Sequence, residues 1–101
     1  MAETMNAELL ADVKRSLNVT WADEDTDRKL VSIIDNAVYY ISSKLGASAD
    51  IIHAGYPRML LMEYCRYAWN EALDAFETNY QSLILSMQLE RQVVTADETT
   101  A

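Results

Sequence analysis

Glycine and proline, the residues that most often interrupt helices and strands, number only three in this chain of 101 residues. An average protein of this length carries roughly twelve. A β-sandwich or barrel needs a turn about every 8–12 residues, and this chain cannot supply those turns. Half of its residues are hydrophobic, which excludes disorder of the whole chain. Area scaling lets about two-thirds of the unfolded surface be buried in one modest core without metals or disulfides. The expectation is an all-α fold: a compact bundle of four or five helices with a central antiparallel pair and a flexible C-terminal tail.

Apolar spacing locates the helices. Met5, Leu9, Leu10, Val13 and Leu17 recur at helical intervals, with Asn6 and Asn18 as the expected caps. Residues 18–23 connect to a second segment that opens on Asp23-Glu24-Asp25-Thr26-Asp27. Acids there complement the positive end of a helix, and Asp23 is placed to accept first-turn amides as N-cap. Calcium is the alternative for such a cluster, but the central Gly and terminal Glu of an EF-hand loop are missing. Leu30, Ile33, Ile34, Ala37, Ile41 and Leu45 then form a core stripe, and Gly46 is expected to close the helix in a left-handed conformation.

Residues 47–56 read as a loop with room for one helical turn, and Pro57 suits the start of a third helix. That helix is expected to run to about Thr78. Leu60, Leu61, Tyr64, Cys65, Ala68, Ala72, Ala75 and Phe76 lie on one side of it, and Met62, Trp69 and Leu73 on another. Two apolar faces require burial on both sides or a partner on the second. Asn79 marks an expected kink, and Tyr80, Leu83, Ile84 and Met87 carry the pattern on to about Arg91. Residues 1–91 thus read as one helical domain and residues 92–101 as an acidic polar tail.

Catalytic chemistry is hard to find. A site needs a nucleophile with a base, paired carboxylates in a cleft, or a metal. His53 is the single histidine, in a loop with no Cys or acid read at ligand spacing. Cys65 reads as a small core hydrophobe, and a lone cysteine excludes an internal disulfide. Neither glycine has a second nearby to build a phosphate loop. The expectation is no enzyme, no cofactor, and no catalytic or metal-binding residue. The acidic N-terminus leads into no apolar stretch, so it does not read as a signal peptide. No apolar run reaches membrane-spanning length. A reducing, cytosolic setting is therefore expected.

The charge argues the same way. Net charge is −8, with five bases against nine acids in residues 1–50 and three against seven in residues 51–101. Neither half hides a basic module, and gripping phosphates requires a Lys/Arg stripe. An acidic surface suits DNA that must slide past without sticking. Glu63, Arg66 and Asn70 lie one turn apart, either as a plain surface ladder or with Arg66 as an interface anchor.

The order of segments carries a resemblance. A short helix ending in DVKRSLNVTW precedes the acid-started DEDTDRKLVSIIDNAVYYISSKLG. A long RMLLMEYCRYAWNEALDAFETNYQSLILSMQLE segment follows. Over roughly residues 7–91 the chain resembles the small head–tail connector, or adaptor, proteins of long-tailed, siphovirus-type bacteriophages. The resemblance implies a helical wedge that forms a homo-oligomeric, dodecameric ring beneath the portal protein. Such a ring extends the DNA channel and offers a docking surface to a downstream neck or tail-completion protein. It also implies a virion location at the head–tail junction after assembly in the host cytoplasm, and no enzymatic activity. The residues expected at an intersubunit or partner interface are Trp21, Tyr39, Tyr40, Met62, Arg66 and Trp69. Two other functions stay open at this level. One is an acidic inhibitor or DNA mimic that occupies a basic nucleic-acid-binding protein. The other is a small helix-turn-helix regulator, which the absence of a basic recognition helix disfavours.

Overall fold

A computed structural model describes the backbone of residues 2–100 and the side chains of residues 7–90. It contains four helices: α1 (Ala2–Ser16), α2 (Glu24–Leu45), α3 (Tyr56–Trp69) and α4 (Leu73–Thr100), with no strand among the described residues. The all-α bundle expected from composition is the observed architecture.

Helix α2 is the hub, touching each of the other three. Its Leu30, Ile34, Ala37, Ile41 and Leu45 are buried. They meet Leu9 and Val13 of α1, Leu60, Leu61 and Cys65 of α3, and Phe76 and Ile84 of α4 in one core. Ile33 of the expected stripe sits at its partly buried edge. Helices α2 and α3 run antiparallel: Lys29 at the start of α2 lies over the Trp69 ring at the end of α3. At the opposite end, Leu45 and Pro57 line one groove.

The caps explain the boundaries. Asp23 accepts the Thr26 amide at 3.0 Å and its hydroxyl at 2.8 Å, so the expected N-cap holds. Helix α1 ends in a Schellman motif. The Val19 amide donates to the Lys14 carbonyl at 2.8 Å and the Asn18 amide to that of Arg15 at 3.2 Å. Asn18 takes φ 59, and Val19 is buried. Asn6 is not an N-cap, because α1 begins earlier and takes it inside. Gly46 closes α2 with its amide on the Ser42 carbonyl, at φ 95 and ψ 157. Its φ is positive as expected, but its ψ is extended rather than left-handed helical, a region that essentially only glycine occupies.

The largest departure from the sequence reading is the long third helix, which breaks at Asn70–Ala72 and not at Asn79. Asn70 donates both its backbone amide (3.1 Å) and its Nδ2 (2.9 Å) to the Arg66 carbonyl. A second Schellman motif follows. The Ala72 amide meets the Tyr67 carbonyl at 2.8 Å, the Glu71 amide meets that of Ala68 at 3.1 Å, and Glu71 takes φ 56. A left-handed Glu costs about 1–2 kcal/mol. The gain is the placement of Phe76, 1% exposed. Its ring centroid lies 5.7, 5.5, 5.7 and 5.0 Å from those of Tyr40, Tyr64, Tyr67 and Tyr80. Each such pair contributes about 0.5–1.5 kcal/mol beyond area burial, so the cluster outweighs the strained turn. The break also carries Ala75 out of the expected core stripe and into solvent.

Residues 47–55 contain a turn and bends but no helical turn. Helix α4 continues to Thr100, where a polar tail was expected from residue 92; the flexibility expected of 92–101 falls outside the described residues.

Replacing Gly46 by Val is expected to lower stability by about 1 kcal/mol or more, because a β-branched side chain is strained at this φ. A shift in the urea midpoint at unchanged m checks it, and an unchanged midpoint contradicts it.

Candidate interaction surfaces

The six residues expected at an interface separate into two groups. Tyr39 is 78% exposed and Trp21 52% exposed. Tyr39 lies opposite the buried stripe of α2, and the Trp21 indole donates from Nε1 to Thr26 Oγ1 at 3.3 Å. Arg66 is also exposed. Its guanidinium donates to Glu63 Oε2 and lies over the Tyr67 ring at 5.4 Å. That bonding raises the Arg66 pKa further. Both sequence readings therefore survive: Arg66 is part of a surface ladder, and its aromatic setting also suits an anchor.

Tyr40, Met62 and Trp69 are partly buried and pack against the chain's own core. Tyr40 sits in the aromatic cluster, 5.3 Å from the Tyr64 ring, and donates its hydroxyl to Glu77 Oε1 at 3.0 Å. Burial first, then the bond to Glu77 and its charge, push the Tyr40 phenol up to about 12. Removing Trp69 therefore disturbs the α2–α3 contact as well as any external one.

Other apolar side chains stand out beyond the periodic stripes. Ile52, Tyr56 and Met59 are exposed around the start of α3, and Leu85 and Leu89 are each 54% exposed on α4. Leu85 lies on the helical side away from Phe76 and Ile84, and Leu89 follows one turn later. The signal was present, since neither leucine belongs to the Tyr80–Leu83–Ile84–Met87 pattern. Leu85 also edges a shallow groove between α2 and α4, with Tyr40, Lys44, Glu77 and Gln88.

The charged groups mostly hold the fold. Lys14 pairs with Asp27 at 2.5 Å. Arg58 pairs with Asp12 at 2.5 Å and donates to the Ile51 and Ile52 carbonyls, pinning α1 to the α2–α3 loop. Glu63 Oε2 also accepts the Tyr80 hydroxyl at 3.2 Å. Burial, and then Glu63, raise the Tyr80 pKa.

His53 has an acid that the sequence reading overlooked. Its Nδ1 lies 2.8 Å from Asp50 Oδ2, while Asp50 Oδ1 accepts the Ile52 and His53 amides. Those amides, with the imidazole, hold the Asp50 carboxyl below its usual range. The arrangement orders the loop. Among the described residues no group of three His, Cys, Asp or Glu side chains is placed to hold a metal. Nor, among the described residues, is any helix long and apolar enough to cross a membrane.

Cys65 is buried, and burial pushes its thiol up to about 12. A thiol reagent is therefore expected to label the native protein slowly and the urea-unfolded protein fast; rapid native labelling contradicts this placement. Tyr40 gives a second test. Its folded-state value lies above the ordinary 10.0, so between about pH 10 and 12 the unfolded chain releases a proton that the folded chain retains. Stability is expected to fall as pH rises through that window. Tyr40→Phe should flatten the fall, measured by urea midpoints at several alkaline pH values; an unchanged slope contradicts the assignment.

No protein-family model, curated protein or solved structure matches the chain, so the functional reading rests on its own residues.

Proposed function

We propose that the chain is a structural subunit of a bacteriophage head–tail connector, a non-enzymatic protein that works by assembling into a ring. In this reading, copies associate side by side beneath the portal protein, prolong the DNA channel, and present a docking surface to a neck or tail-completion protein. The supporting observation is the exposure of Tyr39, Leu85 and Leu89 on the outward sides of two different helices. A ring subunit needs two non-equivalent surfaces that fit each other head to tail and close by rotation. The acid excess suits a channel through which DNA passes without specific binding. The order of segments that resembles the connector family points the same way.

The DNA-mimic reading has less support. It needs a run of free carboxylates along one face, yet Asp12, Asp27, Glu63 and Glu77 are all bonded within the fold. Glu24 and Asp25 are exposed at one helix end, where Arg28 pairs with both.

Light scattering and negative-stain images of the purified protein, alone and with a portal ring, test the proposal. Rings are expected in at least one condition. Tyr39→Ser with Leu85→Ser should keep the helicity and lose assembly by about tenfold or more in concentration. Trp69→Ala should lower stability and assembly together. A wild-type protein that stays monomeric in both conditions, or a double variant that assembles normally, overturns the proposal.

A further inference from the structure

We propose that α4 exchanges between copies of this chain, with Asn70–Ala72 as the hinge. Residues 58–91 contain neither Gly nor Pro, so no residue in that stretch forbids α3 and α4 from running as one helix. The apolar spacing of the sequence describes that continuous helix. What bends it is a three-residue connection with Glu71 at φ 56, a conformation that relaxes if the two helices become continuous. Asn70 and Glu71 are both exposed, so straightening uncovers no core at the hinge itself.

The contacts that hold α4 in place do not depend on chain identity. Phe76 and Ile84 enter the core, Tyr80 donates to Glu63, Asn79 donates to Tyr67 and Gln88 donates to the Lys44 carbonyl. Each joins α4 to α2 or α3, and among the described residues no backbone approach of α4 to α1 accompanies them. The α1–α2–α3 body therefore keeps its own packing when α4 leaves. A departed α4 exposes Phe76 and Ile84, and the surface built to receive them is the vacated body of a second copy. Two chains that open together re-form every α4 contact reciprocally and remove two strained turns. Short, strained hinge connections are the usual setting for such exchange. The proposal stands independently of the connector reading, because it uses neither Tyr39 nor Leu85.

Size-exclusion chromatography with light scattering on the full chain, concentrated after partial unfolding in urea, tests it. Glu71→Gly favours the turn over the helix, and should raise the dimer dissociation constant by about tenfold or more, since two hinges contribute. Glu71→Ala favours the helix and should lower it about threefold. Helicity of the monomers should stay constant in both. Isotope-labelled copies should mix into the dimer only as slowly as the protein unfolds. Equal dimer fractions in all three chains, including none in any, overturn the proposal, as does mixing as fast as dilution.

Discussion

The packing of Phe76 among Tyr40, Tyr64, Tyr67 and Tyr80 joins three helices at one point, and the path of the second half of the chain follows from it. Local preference alone would run α3 and α4 together, because the intervening residues are ordinary helix formers. Burying Phe76 among rings from α2, α3 and α4 is worth several kcal/mol, more than the strain of one left-handed residue. The turn at Glu71 is thus imposed from a distance. Without it, α4 could not lie against α2, and the groove between them would not exist.

Helix α2 was legible in the sequence almost entirely, and the reason is physical. Its stripe faces one continuous core, its N-cap lies three residues before the amide it accepts, and its C-terminus falls on a glycine. These are local signals, and local signals survive folding. The break at Asn70 was not legible because its cause is tertiary: nothing within a few residues of Glu71 reports that Phe76 has four tyrosines waiting. The same limit applied to the surface. Tyr40, Met62 and Trp69 looked like surplus apolar area on a helical wheel, yet α2 and α3 each border more than one neighbour and cover much of that area. Leu85 and Leu89 show the reverse: they fall outside the Tyr80–Leu83–Ile84–Met87 pattern and point away from the core. The Asp50–His53 contact was not legible as a metal pattern because it is a loop cap, in which Asp50 also accepts the Ile52 and His53 amides.

The charged and polar groups described above mostly bond within the fold. Two of its ion pairs, Lys14–Asp27 and Arg58–Asp12, join helices, its thiol is shielded by burial, and its imidazole serves a loop turn. What the molecule offers its surroundings is shape, negative charge and a few large apolar side chains on outward faces. Those features fit a protein whose work is done through contacts between copies, and the proposed connector role is the form of that work that best accommodates the order of its segments.

The most direct measurement is radical footprinting of the dilute chain and of the assembled form, read residue by residue. Tyr39, Leu85 and Leu89 should be labelled in the dilute chain and protected on assembly, while Leu60, Cys65 and Phe76 stay dark in both. Equal labelling of Tyr39, Leu85 and Leu89 in the two forms would contradict the account, because the outward apolar side chains would then have no partner to meet.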